Sequence, residues 1–216
     1  MPVAGVDGCR SGWVVATGGE TFVCRDFGAV VEALPGDAVV AVDMPIGLPD
    51  EYVPGGRAAD RAARRELPAR RSSVFSAPTR RALGASTLAE ARARGCPMTI
   101  QALDILPKIR EVDEVMTPAL QARVHEVHPE LCFDAMNRGA RSLGSKRERA
   151  GRTARRALLR RLGIVVPARV TGASEDDVLD AGAALWGARR LATGTGRRVP
   201  EPPPVDRRGL RMEICW

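Results

Sequence analysis

Val39-Val40-Ala41-Val42-Asp43 constrains the fold more than any other stretch of the chain. An unbroken apolar run, rich in β-branched valine, suits a strand covered on both faces, and such strands pair with parallel neighbours. The preceding segment supplies the crossover: Asp26 can cap a short helix carrying Val30, Val31 and Leu34, which Pro35-Gly36 ends. A helix is too long a link for a hairpin, so the strand at 39–43 is expected to run parallel to an earlier one. That earlier strand is Val3 to Asp7, which enters the tight turn Gly8-Cys9-Arg10-Ser11-Gly12.

Short connections after this turn imply an antiparallel meander. Trp13 to Ala16 reads as a second strand, Thr17-Gly18-Gly19-Glu20 as a turn, and Thr21 to Arg25 as a third strand. With the meander on one side of the first strand and the crossover landing on the other, strands one and four become neighbours about 4.8 Å apart. Asp7 and Asp43 then project together from the carboxyl edge, where open α/β sheets bind ligands. Each also has a local reading as a turn former, before Gly8 and before Pro45.

The region of about 50–122 reads as a helical, Arg-rich insertion that could form a lid. It has a short helix between Ser86 and Gly95, a helical pattern from Ile100 to Val112 kinked or split at Pro107, and a helix start at Thr117-Pro118. Val124 to Phe133 has the composition of a fifth strand, with Glu126, His128 and Glu130 on one face. A basic helix then stops at Gly163, and a final helix runs from Ser174 to about Leu191. A Pro-rich turn leads to a terminal strand near Met212 to Trp216, whose exposed edge could serve a homodimer. The expected fold is α/β, one domain over 1–216. Its core is a mixed five-stranded sheet, three antiparallel strands plus two parallel, with flanking helices and the insertion.

The final helix opens SEDDVLDAGAALWGA, and Asp177 and Asp180, three apart, share a face that continues through Ala181, Ala184 and Ala188. These small residues let the helix lie close against a sheet. Asp7, Asp43, Asp177 and Asp180 could therefore meet. Carboxylate oxygens suit Mg2+ or Mn2+, and two such ions about 3.5 to 4 Å apart support phosphodiester cleavage. Without metal the four would repel one another and raise their own pKa values. Asp177 is equally the third residue of a capping box begun by Ser174. His125 and His128 would lie on opposite strand faces, so they cannot share a metal. His128 with Glu130 could shuttle protons or add a ligand, the alternative being a structural histidine.

The formal charge of +7 admits polyanion partners, and nine basic residues between Arg141 and Arg161 face the single acid Glu148. Such a run is also an ordinary solvated helix face. Lysine occurs only at Lys108 and Lys146, all other basic residues being Arg. Scarce aromatic residues weaken any picture of stacked bases. Five scattered cysteines without C-x-x-C spacing argue against a disulfide framework or zinc knuckle. No run of transmembrane length and no secretory leader stand out, so a soluble, cytoplasmic protein without a membrane partner is expected.

GVDGCRSGWVVA, VDMPIGLP, the R-x-x-D-x-x-A-R pattern of Arg57 to Arg64, Arg71-Ser72-Ser73-Val74-Phe75, ILPKIREVD, EVHPELCF and DDVLDA occur in this order. Together they resemble the family described as domain of unknown function 429, over most of the chain. The resemblance implies a ribonuclease H-like sheet and metal-dependent cutting at Asp7, Asp43, Asp177 and Asp180. A nuclease acting on DNA or RNA is the leading expectation, with Arg10, Arg57, Arg64, Arg71, Arg80 and Lys146 positioning phosphates. Two alternatives stand beside it: a non-catalytic polyanion-binding module, and phosphotransfer or hydrolysis on a small phosphorylated metabolite.

Overall fold

The computed structural model describes residues 1–137 and 143–216. Arg141, at the head of the basic run, lies outside the described residues. The chain groups into two compact units, one of Met1–Asp43, Arg123–Arg197 and Cys215–Trp216, the other of Met44–Ala122 and Arg198–Ile214.

The first unit holds a five-stranded sheet. Its strands are β1 (Val3–Cys9), β2 (Gly12–Thr17), β3 (Thr21–Cys24), β4 (Val39–Val42) and β5 (Val124–Glu126), in the order β3-β2-β1-β4-β5. β1 to β3 form the antiparallel meander, while β1–β4 and β4–β5 are parallel. The mixed α/β sheet is thus the expected one. The crossover helix α1 (Phe27–Ala33) starts where predicted, with the Asp26 carboxylate accepting the Ala29 amide at 2.8 Å. Register and strand alternation sort the two faces. Trp13, opposite Gly8, shares a face with Val6 and Ala4, and Phe27 of α1 packs on it with ring centroids 5.1 Å apart. Gly5 and Asp7 point to the other face, which the last helix of the unit covers.

That helix is α8 (Glu175–Ala192), which follows α6 (Pro129–Asn137) and α7 (Arg149–Arg161). A capping box starts it: Ser174 Oγ accepts the Asp177 amide at 3.2 Å and the Asp177 carboxylate accepts the Ser174 amide at 2.8 Å. Its face of Ala181, Ala184 and Ala188 is fully buried. A Cβ at Gly5 would lie 2.0 Å from the Leu185 nitrogen and 2.1 Å from the Ala181 oxygen. The backbones of helix and strand therefore meet at a point where only glycine fits.

The fifth strand is shorter than its composition suggests. It stops at Glu126, and Pro129 opens α6, a position where its missing N–H costs no hydrogen bond. Glu130 is therefore a helical residue, and it does not share a strand face with His128. The terminal strand also differs from expectation. β7 (Ile214–Cys215) pairs with β6 (Arg198–Val199), Cys215 bridges to Val127, and Trp216 is buried, so it offers no exposed edge.

The second unit contains α2 (Ala58–Glu66), α3 (Leu88–Ala93), α4 (Ile100–Asp104) and α5 (Leu106–Val115), with short 3-10 turns between them. The helical pattern at 100–112 is split at Ile105, before Pro107. Thr117-Pro118 leads only into a 3-10 turn, Leu120–Ala122. Arginines tie this unit together. Buried Arg57 reaches Asp60 at 2.7 Å and the carbonyls of Ile46 and Gly47 at 3.0 Å each. Arg64 donates to the Val74 carbonyl and the Ser76 hydroxyl, and Arg80 bridges Asp113 and Asp206.

Two substitutions test these constraints. Gly5→Ala forces α8 away from the sheet and is expected to cost about 3 kcal/mol in urea denaturation, as overpacking at a rigid contact does. Asp60→Ala strands the Arg57 guanidinium without its counter-ion and is expected to cost about 3–5 kcal/mol by the same measurement.

Candidate metal centre

Three carboxylates converge in the first unit. Asp7 stands in β1, two residues after Gly5 on the same face. Asp43 directly follows β4, and its amide donates to the Val6 carbonyl at 2.9 Å, which sets it beside Asp7 at the carboxyl ends of two parallel strands. Asp180 lies in the second turn of α8 and directly precedes Ala181, whose carbonyl closes on Gly5. Asp7, Asp43 and Asp180 each present a ligand oxygen, and these atoms lie within 4.8 Å of one another. Asp180 is buried, with one oxygen engaged and the other, Oδ1, without a hydrogen bond. A buried, unsatisfied carboxylate oxygen is costly unless something pairs with it. An all-oxygen donor set suits a hard divalent cation.

The electrostatics agree with that demand. Burial, and then the charges of Asp43, Asp180 and Asp177, push the Asp7 carboxyl well above the usual range, partly offset by Lys146. Burial is also the largest cause at Asp43, raised to about 7, and at Asp180, raised to about 6; Lys146 opposes both shifts and Glu130 adds to them. Lys146 Nζ donates to Asp180 Oδ2 at 2.6 Å. Burial works against this ammonium, but Asp180, Asp43 and Asp7 outweigh it and push its pKa up.

The remaining expected site residues take other places. Asp177 is close enough to raise the Asp7 pKa, but its carboxylate caps α8, and it does not join the convergent group. Asp176 keeps a buried Oδ1 without a hydrogen bond, also outside that group. Glu130 is buried and bound to Arg155 at 2.7 Å. His128 is half-buried just before α6, and its carbonyl accepts the Cys132 amide at 3.1 Å. Arg10, three residues after Asp7, is exposed, and among the described residues its side chain has no partner. Arg57, Arg64 and Arg80 are committed to partners inside the second unit, while Arg71 there is exposed.

Sequence reasoning missed one residue that shapes the centre: Gly5, which sets the approach of α8. Lys146, expected to position phosphates, donates to Asp180.

The pKa shifts give a signed expectation. Asp43 and Asp180 titrate near 7 and 6 in the fold, against about 3.9 in an unfolded chain. The folded state thus binds more protons between these values, and its stability falls as pH rises through them. In chelating buffer, denaturation midpoints are expected to drop from about pH 4 to about pH 8, less steeply in Asp43→Asn, and added Mn2+ is expected to restore the wild type at the upper end.

Among the described residues, no helix is long and apolar enough to cross a membrane. No curated protein gives a significant match to the chain. Nor does any solved structure. A family model described as "Protein of unknown function (DUF429)" matches residues 5–205, which take in Asp7, Asp43 and Asp180. The chain belongs to this family.

Proposed function

We propose that the protein is a divalent-metal-dependent nuclease that hydrolyses phosphodiester bonds, with Asp7, Asp43 and Asp180 holding Mg2+ or Mn2+. The observation that carries this reading is the buried, unpartnered Asp180 Oδ1 beside the carboxylates of two strand ends. Bound there, a divalent ion would activate water and offset the charge gathering on a phosphate under attack.

The chain's own residues supply the rest. Asp7 and Asp43 are held by the β1–β4 register, and Asp180 by the contact of α8 with Gly5. Rigid elements hold ligands more precisely than loops do. Arg10, exposed three residues beyond Asp7, would meet phosphate oxygens. The exposed Arg147 and Arg149, just before and at the start of α7, add positive charge that would attract a polyanion. Hydrolysis joins the water oxygen to phosphorus and breaks one P–O ester bond, leaving one phosphate end and one hydroxyl end.

The test is cleavage of end-labelled DNA and RNA with Mn2+ or Mg2+, beside a small phosphodiester. Wild type is expected to cut one of the polymers, and Asp7→Asn and Asp180→Asn to lose about a hundredfold or more in rate. Polymer binding without cleavage, undiminished in Asp7→Asn, would replace the enzyme by a polyanion-binding module. Cleavage of the small ester alone would move the substrate class to phosphorylated metabolites.

A further inference from the structure

The contact between Lys146 and Asp180 is built, not incidental. Lys146 lies in the segment before α7, and α7 grips that segment at several points. Arg152 donates to the Lys146 carbonyl at 3.0 Å and to the Arg147 carbonyl at 2.9 Å, while its Nε holds Glu175, the first residue of α8, at 3.0 Å. Arg155, fully buried, donates to the Gly144 carbonyl at 3.1 Å and to Glu130 at 2.7 Å. A Cβ at Gly151 would lie 2.0 Å from the Ser145 carbonyl oxygen, so helix and segment touch backbone to backbone. These contacts deliver Lys146 Nζ to one oxygen of Asp180 and leave the other, Oδ1, open.

Charge then limits what the centre can hold. Three carboxylates against one ammonium leave two negative charges, which one divalent ion balances. Glu130, whose charge raises the Asp43 and Asp180 pKa values, is itself paired with Arg155 at 2.7 Å. We infer that the Lys146 ammonium takes the place of a second divalent cation, so that the centre holds one ion per chain, beside a fixed lysine. This inference rests on the metal-dependent reading of the same site. It departs from the two-ion arrangement expected of four carboxylates.

Calorimetric titration of Mn2+ into chelator-stripped protein tests it, with wild type, Lys146→Met and Lys146→Arg compared at matched pH. One ion in wild type and in Lys146→Arg, but two in Lys146→Met, is the expected result. The first ion should also tighten about tenfold or more in Lys146→Met, since an ammonium a few ångström away repels a dication. The Lys146 side chain is 43% exposed, so methionine is tolerable there, and circular dichroism of each variant verifies the fold. Two ions in wild type would overturn the inference and leave the metal-dependent reading standing. One ion in both wild type and Lys146→Met would overturn it as well, since the lysine would then exclude nothing. Absence of binding in all three proteins would overturn the metal-dependent reading itself, and the inference with it.

Discussion

The backbone contact between Gly5 and α8 is the constraint on which the candidate centre depends. A helix normally rides on a sheet at the distance its side chains impose. Here the strand offers a bare Cα, and the Ala181 carbonyl and Leu185 amide of the helix descend onto it. The alanine face of α8 extends that close approach along the sheet. Asp180 stands one residue from the contact and Asp7 two, so the geometry that seats the helix also brings these two carboxylates together. A looser fit would move Asp180 away from the strand ends, even with every carboxylate still in the sequence.

That convergence is electrostatically unfavourable on its own. Burial raises the pKa of all three carboxyls, and their mutual repulsion adds to it at Asp7 and Asp180. Lys146 relieves part of this repulsion, and its position is secured by Arg152 and Arg155 through main-chain carbonyls. A site that concentrates like charge on rigid elements and retains an unpaired buried oxygen is strained in the way functional sites are. Burial also works against any single charge there, so an incoming cation gains from all three carboxylates at once.

The basic composition has two separate physical roles. In the second unit, arginine forks bind carboxylates and main-chain carbonyls, as at Arg57 and Arg80. Such guanidinium groups are structural ties, and their charge is spent on internal partners. In the first unit Arg10, Arg147 and Arg149 are exposed to solvent, where they can contribute to attraction of a polyanion. Net charge alone does not separate these roles.

The sheet was largely legible in the sequence. Apolar runs, turn glycines and a helix-length crossover act over a few residues, so they place β1 to β4 and order them, and they set Asp7 beside Asp43. The Ser174–Asp177 box and the alanine face of α8 are local signals of the same kind. Other features depended on distant partners. Glu130 and Arg155 are 25 residues apart, Arg80 and Asp206 are 126, and no periodicity links them. The run at 124–133 has strand composition throughout, yet Pro129 opens a helix within it. Gly5 reads as an ordinary weak strand residue until a helix backbone lies against it. The sequence by itself determined which carboxylates stand at strand ends and on the α8 face, because short-range periodicity governs both. Only the tertiary structure decided that Asp180 turns into the centre while Asp177 caps its helix, and that a lysine closes one side, because those outcomes depend on packing between elements far apart in the chain.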